Sequence, residues 1–195
     1  MRDSPYPGKV EAVIRHAFKK IGMTSAFDAL GNAQGVTILE LVPAKVVRHE
    51  TLSDERKLVI VEYDLGFKKP IRRGYFVDSF EAFPVGPDFA IPSFEPGLKL
   101  KVTGSSKGRG FQDVITRHGF SGGPAAHGSR FHRAPGSVGM RTEPGRTPRG
   151  KRLPGQDGNV KVSVRNLKVA QWSPDARVLA VWGGVPGARG GLVFV

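Results

Sequence analysis

Six stretches of the chain are rich in Val, Ile and Leu and roughly alternate apolar with polar positions. They are 36–42 (VTILELV), 57–63 (KLVIVEY), 98–104 (LKLKVTG), 160–170 (VKVSVRNLKVA), 177–183 (RVLAVWG) and the terminal LVFV. Neighbouring side chains on a strand point to opposite faces, so this alternation predicts short strands with one face buried. Turn-forming residues separate them: the run from Asp28 to Asn32, Ser53-Asp54, Ser173-Pro174-Asp175 and Val185-Pro186-Gly187. The pattern predicts a mainly β protein, either a small barrel or a sandwich. Val10, Val13, Ile14, Ala17 and Phe18 fall instead at helical spacing and predict one short helix ending before Gly22. Residues 83–97 contain four prolines, each of which removes a backbone donor, and are expected to form an ordered connector or an edge.

The patterned segments do not cover the chain evenly, and composition explains the gap. Gly104 to Gly155 holds 12 Gly, 5 Pro and 10 Lys+Arg against only Asp113 and Glu143. The formal net charge of +13 is therefore concentrated in one stretch, which carries +8 of it. A chain of 195 residues suits one core with a long excursion. A segment so poor in apolar side chains cannot offset an ordering cost of about 1–2 kcal/mol per residue, so it is expected to order against a partner. Its strand-like stretch FQDVIT, 111–116, belongs in a fold.

An uncompensated positive field favours a polyanionic partner. Arginine dominates the segment: Arg109, Arg117, Arg130, Arg133, Arg141, Arg146, Arg149 and Arg152 stand beside only Lys107 and Lys151. The planar guanidinium forks onto phosphate and stacks on bases. His118, His127 and His132, with Phe111, Phe120 and Phe131, are interleaved with these cations and could stack on unpaired bases, which irregular RNA offers more than duplex DNA. Gly108, Gly110, Gly119, Gly122, Gly123 and Gly128 would let the main chain lie close to a sugar–phosphate surface.

Other chemistries fit poorly. GSSKGRG at 104–110 lacks the Gly-Lys-Ser/Thr of a nucleotide-binding loop, since Gly108 follows Lys107. The histidine spacings do not bring a metal-ligand set onto one helix face, and the chain has no cysteine, hence no disulfide or thiolate zinc site. A histidine pair cleaving RNA would need a rigid cleft that a glycine-rich loop does not supply. Asp113, Glu143 and Asp157 form no catalytic carboxylate pair and are expected to cap turns or pair with arginines. Trp172 and Trp182 are read as core or barrel-surface aromatics. No apolar run approaches the roughly 20 residues of a membrane helix. The first twenty residues do not read as a secretory signal, so the chain is expected to stay inside the cell.

Four longer motifs carry a specific resemblance: KKIGMT (19–24), VTGSSKGRGFQDVITRHGFSGGPAAHGSRFHRAPGSVG (102–139), PGRTPRGKRLPGQDGNVKVSVRNLKV (144–169) and AVWGGVPGARGGLVFV (180–195). Over about residues 16–195 the chain resembles the universal large-subunit ribosomal protein L-three family. The resemblance implies a small closed β-barrel, related to one in translation factors, with a long RNA-penetrating loop. It implies a barrel domain of 16–126 and 156–195, an inserted basic loop of 127–155, and an unassigned extension of 1–15. It implies large-subunit ribosomal RNA, bound near its 3′ end, and neighbouring large-subunit proteins as partners, with neither membrane nor small-molecule substrate. The implied roles are early subunit assembly and support of the peptidyl-transferase centre by the loop, without catalysis. No cofactor is expected, although ribosomal magnesium could lie nearby. A bacterial cytoplasmic ribosome is the expected location, with an organellar ribosome as the alternative. The chain departs from the pattern where Phe18 replaces a usual Gly, where 64–83 is shorter, and at Met140-Arg141-Thr142, which offers no glutamine for methylation.

Overall fold

The computed structural model describes residues 14–28, 30–53, 56–66, 69–86, 89 and 91–195. The chain divides into two compact units, one of Met1–Ser105 with Lys161–Val195 and one of Ser106–Val160. The first unit contains strands β1 (Ala17–Phe27), β2 (Ala33–Leu41), β3 (Ala44–Thr51), β4 (Lys57–Tyr63), β5 (Ile71–Val77), β6 (Lys99–Ser105), β9 (Lys161–Ser173), β10 (Val178–Trp182) and β11 (Leu192–Phe194). The second contains β7 (Gly110–Gln112), helix α1 (Val114–His118) and β8 (Gly155–Asp157).

Six strands close an antiparallel barrel in the order β1-β11-β6-β9-β10-β2, and β2 returns to β1. Closure removes free sheet edges but demands tilted, coiled strands. Extra residues supply the bend. The pairing slips between Lys20 and Gly22 in β1, between Leu100 and Val102 in β6, and between Ala180 and Val181 in β10. Asn166, opposite the β6 slip, takes a left-handed φ of 62°.

Alternation along the strands sorts side chains into two cores. Phe18, Leu39, Val102, Val169, Leu179, Val181 and Val193 form one buried cluster, the barrel interior. Their strand neighbours Ala17 and Phe194 face the other way and join Val46, Val59, Val61, Tyr63 and Val77 of the three-stranded antiparallel sheet β3-β4-β5. That sheet covers the outside of the barrel at β1 and β11. Phe194 meets Tyr63 edge-to-face at 5.6 Å, and the Tyr63 hydroxyl donates to the Arg15 carbonyl at 2.7 Å. Phe18 is fully buried between Phe94 and Trp172, so Trp172 is a core aromatic of the barrel.

Several predicted elements match closely. The stretch 57–63 coincides with β4, and the other five predicted strands overlap β2, β6, β9, β10 and β11. Of the predicted turn from Asp28 to Asn32, Asp28 and residues 30–32 lie between β1 and β2. There Asp28 Oδ1 accepts from the amides of Leu30 and Asn32, both at 2.9 Å. The predicted helix is corrected where it can be seen. Val10 and Val13 lie outside the described residues, but Ala17 and Phe18 begin β1. Their opposite faces are each claimed by a different core, and pairing with Phe194 and Val193 overrides the local spacing. Strands β3 and β5 escaped the alternation because charged residues interrupt them. Of the predicted turn Ser53-Asp54, Asp54 lies outside the described residues.

Candidate nucleic-acid interface

The unit Ser106–Val160 carries 10 Lys and Arg side chains against Asp113, Glu143 and Asp157. Its frame is built by backbone pairing where the segment starts and ends. Gly110 pairs with Asp157, Phe111 with Gln156 and Gln112 with Gly155, while the Ser106 amide donates to the Val160 carbonyl at 2.9 Å. At Gly158, with φ 69°, any Cβ would collide with the Lys107 carbonyl, so this approach requires glycine.

Helix α1 follows directly and corrects the reading of 111–116 as one strand. Asp113 is its N-cap, and its Oδ1 accepts from the Thr116 amide at 2.8 Å. Gly119 ends the helix in the left-handed region, with φ 72°, and its amide donates to Ile115 at 2.9 Å. The signature was present as Asp113 three residues before Thr116, with Gly119 at the far end, but the apolar Val114-Ile115 pair masked it.

The candidate residues separate into two groups. Arg117 Nη1 donates to the Leu153 carbonyl at 2.8 Å, and His118 Nε2 meets the same oxygen at 3.1 Å. Arg133 makes an ion pair with Asp113 Oδ2 and reaches Thr116 Oγ1 at 3.3 Å. Arg109 pairs with Asp157 at 3.6 Å, and His132 Nδ1 lies 3.0 Å from the Pro124 carbonyl. Asp113 and Asp157 thus pair with arginines as the sequence led us to expect. Arg133 and the Thr116 amide hold the Asp113 carboxyl down at about 2.

The second group is exposed and makes no side-chain hydrogen bond or ion pair among the described residues. It comprises Lys107, His127 and Arg130 early in the unit, then Arg141, Arg146, Arg149, Lys151 and Arg152. Exposed apolar side chains lie among them: Phe111 is 75% exposed, Met140 78% and Phe131 41%. Desolvated cations would need partners, but these remain in water and can exchange it for phosphate. Among the described residues no cluster of His, Asp and Glu could hold a metal ion, and no helix is long and apolar enough to cross a membrane.

Gly122 and Gly123 were expected to admit a sugar–phosphate surface, yet their close approaches are to this chain. A Cβ on Gly122 would lie 2.7 Å from the His132 carbonyl, and one on Gly123 would collide with the Phe131 carbonyl. The segment was expected to order only against a partner, with 111–116 part of a fold; over residues 106–123 paired main chain and a capped helix supply internal order in place of an apolar core.

The family profile described as Ribosomal protein L3 matches residues 82–177. The chain is similar to the large ribosomal subunit protein uL3 of Thermotoga petrophila, at 40% identity over 198 residues, covering 91% of this chain and 93% of that one. It is similar to the protein of the same description in Pelotomaculum thermopropionicum, at 40% over 197 residues with the same coverage. The corresponding protein of Syntrophus aciditrophicus is 36% identical over 200 residues, covering 91% of this chain and 90% of its own length.

Proposed function

Because the chain belongs to the ribosomal protein L3 family, a structural component of the ribosome and not an enzyme, we propose that it is a constituent of the large subunit of a bacterial ribosome. In this reading it binds large-subunit ribosomal RNA near the 3′ end, joins early in assembly, and sends residues 127–155 towards the peptidyl-transferase centre. Neighbouring large-subunit proteins are its other partners.

The observation that carries the RNA reading is the set of exposed cations Arg130, Arg141, Arg146, Arg149, Lys151 and Arg152, which have no partner among the described residues, on a frame that is itself hydrogen-bonded. Each cation that neutralises a phosphate releases a counterion, so affinity grows with the number of contacts and falls as salt rises. Arginine adds a directional fork to that charge. Exposed Phe111 and Phe131 supply flat apolar faces on which unpaired bases can stack. The bacterial setting rests on the relatives from Thermotoga, Pelotomaculum and Syntrophus.

Sedimentation tests the reading. In sucrose gradients at low magnesium, an epitope-tagged chain should travel stoichiometrically with the large subunit. Recovery mainly in free fractions would refute it. The purified chain should also prefer folded large-subunit RNA to duplex DNA at matched salt, and equal affinity for both would favour a general nucleoid-type binder instead.

A further inference from the structure

The cations of the 106–160 unit are not interchangeable. We propose that Asp113, Arg117, His118 and Arg133 form a clasp on α1 that positions the loop for RNA, acting through the chain's own carboxylate, hydroxyl and peptide groups and not through phosphates. The proposal rests on the RNA-binding reading and assigns roles within it.

Two long-range seats meet at this one short helix. At its start, both oxygens of Asp113 are occupied, one by the Thr116 amide at 2.8 Å and the other by the Arg133 guanidinium, which also reaches Thr116 Oγ1. At its end, Arg117 and His118 converge on the single carbonyl of Leu153 at 2.8 and 3.1 Å. A carbonyl oxygen has two lone pairs and only accepts, so both are used and His118 Nε2 must carry a proton. Residue 133 is further secured by its neighbour, since the His132 carbonyl accepts from the Gly123 amide at 2.9 Å.

The consequence is geometric. The excursion is pinned to α1 at Arg133 and again at Leu153, so the free span is 134–152, with Arg130 just before one pin and Lys151 and Arg152 just before the other. Pinning removes freedom that RNA binding would otherwise have to remove, which raises affinity without adding a contact. Gly155 is part of the seat: a Cβ there would lie 2.7 Å from Arg117 Nη1, although its backbone is not left-handed.

Asp113→Asn separates the clasp from simple electrostatics because the two predict opposite signs. The variant makes the chain more positive and releases Arg133, so attraction to a polyanion alone would tighten binding. The clasp predicts weaker binding instead, by about three- to tenfold. Gly155→Ala disturbs the other seat without changing any charge and should weaken binding similarly. The full chain would be titrated with a transcript of the 3′-terminal domain of large-subunit ribosomal RNA across a range of KCl. Both variants should leave the slope of log affinity against log salt at the wild-type value, while Arg152→Ala should lower it by about 0.7–0.9, the share of one phosphate contact. Exchange of the Thr116 and Gly123 amides in the free chain should accelerate in Asp113→Asn. If Asp113→Asn does not keep its fold by circular dichroism, Gly155→Ala decides alone. Unchanged or tighter binding by the folded variants, or a reduced slope, overturns the clasp. A wild-type chain that shows no salt-dependent preference for the transcript overturns the RNA reading itself.

Discussion

The ammonium of Lys20 donates to the carbonyls of Val185 at 2.7 Å and Gly187 at 3.1 Å, while its main chain exchanges bonds with Gly190 and Gly191. A buried cation in the first barrel strand thereby organises the turn that precedes the last one. Lys20→Met should cost about 1–3 kcal/mol, because a similar volume is kept while two carbonyls lose their charged donor. The check is a lower urea midpoint with an unchanged m-value. Lys19, half-exposed and 3.9 Å from Glu40, should change stability by only about 0.5 kcal/mol or less on the same substitution. Gly104 sets a second residue-scale constraint: a Cβ there would sit 2.9 Å from Val193 Cγ1 and 3.3 Å from the Pro186 carbonyl. Gly104→Ala should therefore destabilise by about 1–3 kcal/mol through overpacking, seen as a lower thermal midpoint. Neither requirement is legible locally, since Lys20 looks like one more surface cation of a basic chain and Gly104 like the first glycine of a glycine-rich segment.

Helix α1 is too short to persist by propensity, and its caps and side-chain ties carry it. Its pH response follows from Asp113. The carboxyl is held below its ordinary value, at about 2, first by Arg133 and then by the Thr116 amide. A depressed carboxylate contributes stability that is fully present above its unfolded value of about 3.9 and is lost as pH falls through the folded value. The Thr116 and Arg117 amides should thus stay protected down to about pH 4 and lose protection towards pH 2, as hydrogen exchange followed by NMR would show. An Asp113 carboxyl that titrates at its ordinary value would contradict the ion pair. At the same scale, β4 was readable because it is apolar and uninterrupted. β1 was not, because Ala17 and Phe18 serve two different cores and their spacing imitates a helix face.

At the scale of the whole chain, every barrel strand and every strand of the covering sheet lies within 17–105 or 161–194. Deleting 129–150 therefore removes no strand of that unit. The variant should keep its β-type circular dichroism and its urea midpoint within experimental scatter, while ribosomes that contain it mature poorly or function poorly. Collapse of the spectrum would contradict the separation of the two units. The net charge has the same partition, since most of it lies in the segment that the deletion shortens.

The sequence by itself determined the β class, most strand positions, the concentration of charge between Gly104 and Gly155, and the family, through motifs long enough to exclude coincidence. These are local or compositional properties: alternation needs only neighbouring residues, and charge only a count. Tertiary structure alone decided that β1 is a strand, that the barrel closes through β1 and β2, and which cations are committed to the chain. Arg117 and Leu153, or Asp113 and Arg133, are far apart in sequence, and no local pattern brings a guanidinium to one particular carbonyl or carboxylate. Only the folded path of the main chain does that, and it leaves Lys107, Arg130, Arg141, Arg146, Arg149, Lys151 and Arg152 as the Lys and Arg side chains of the 106–160 unit still in water.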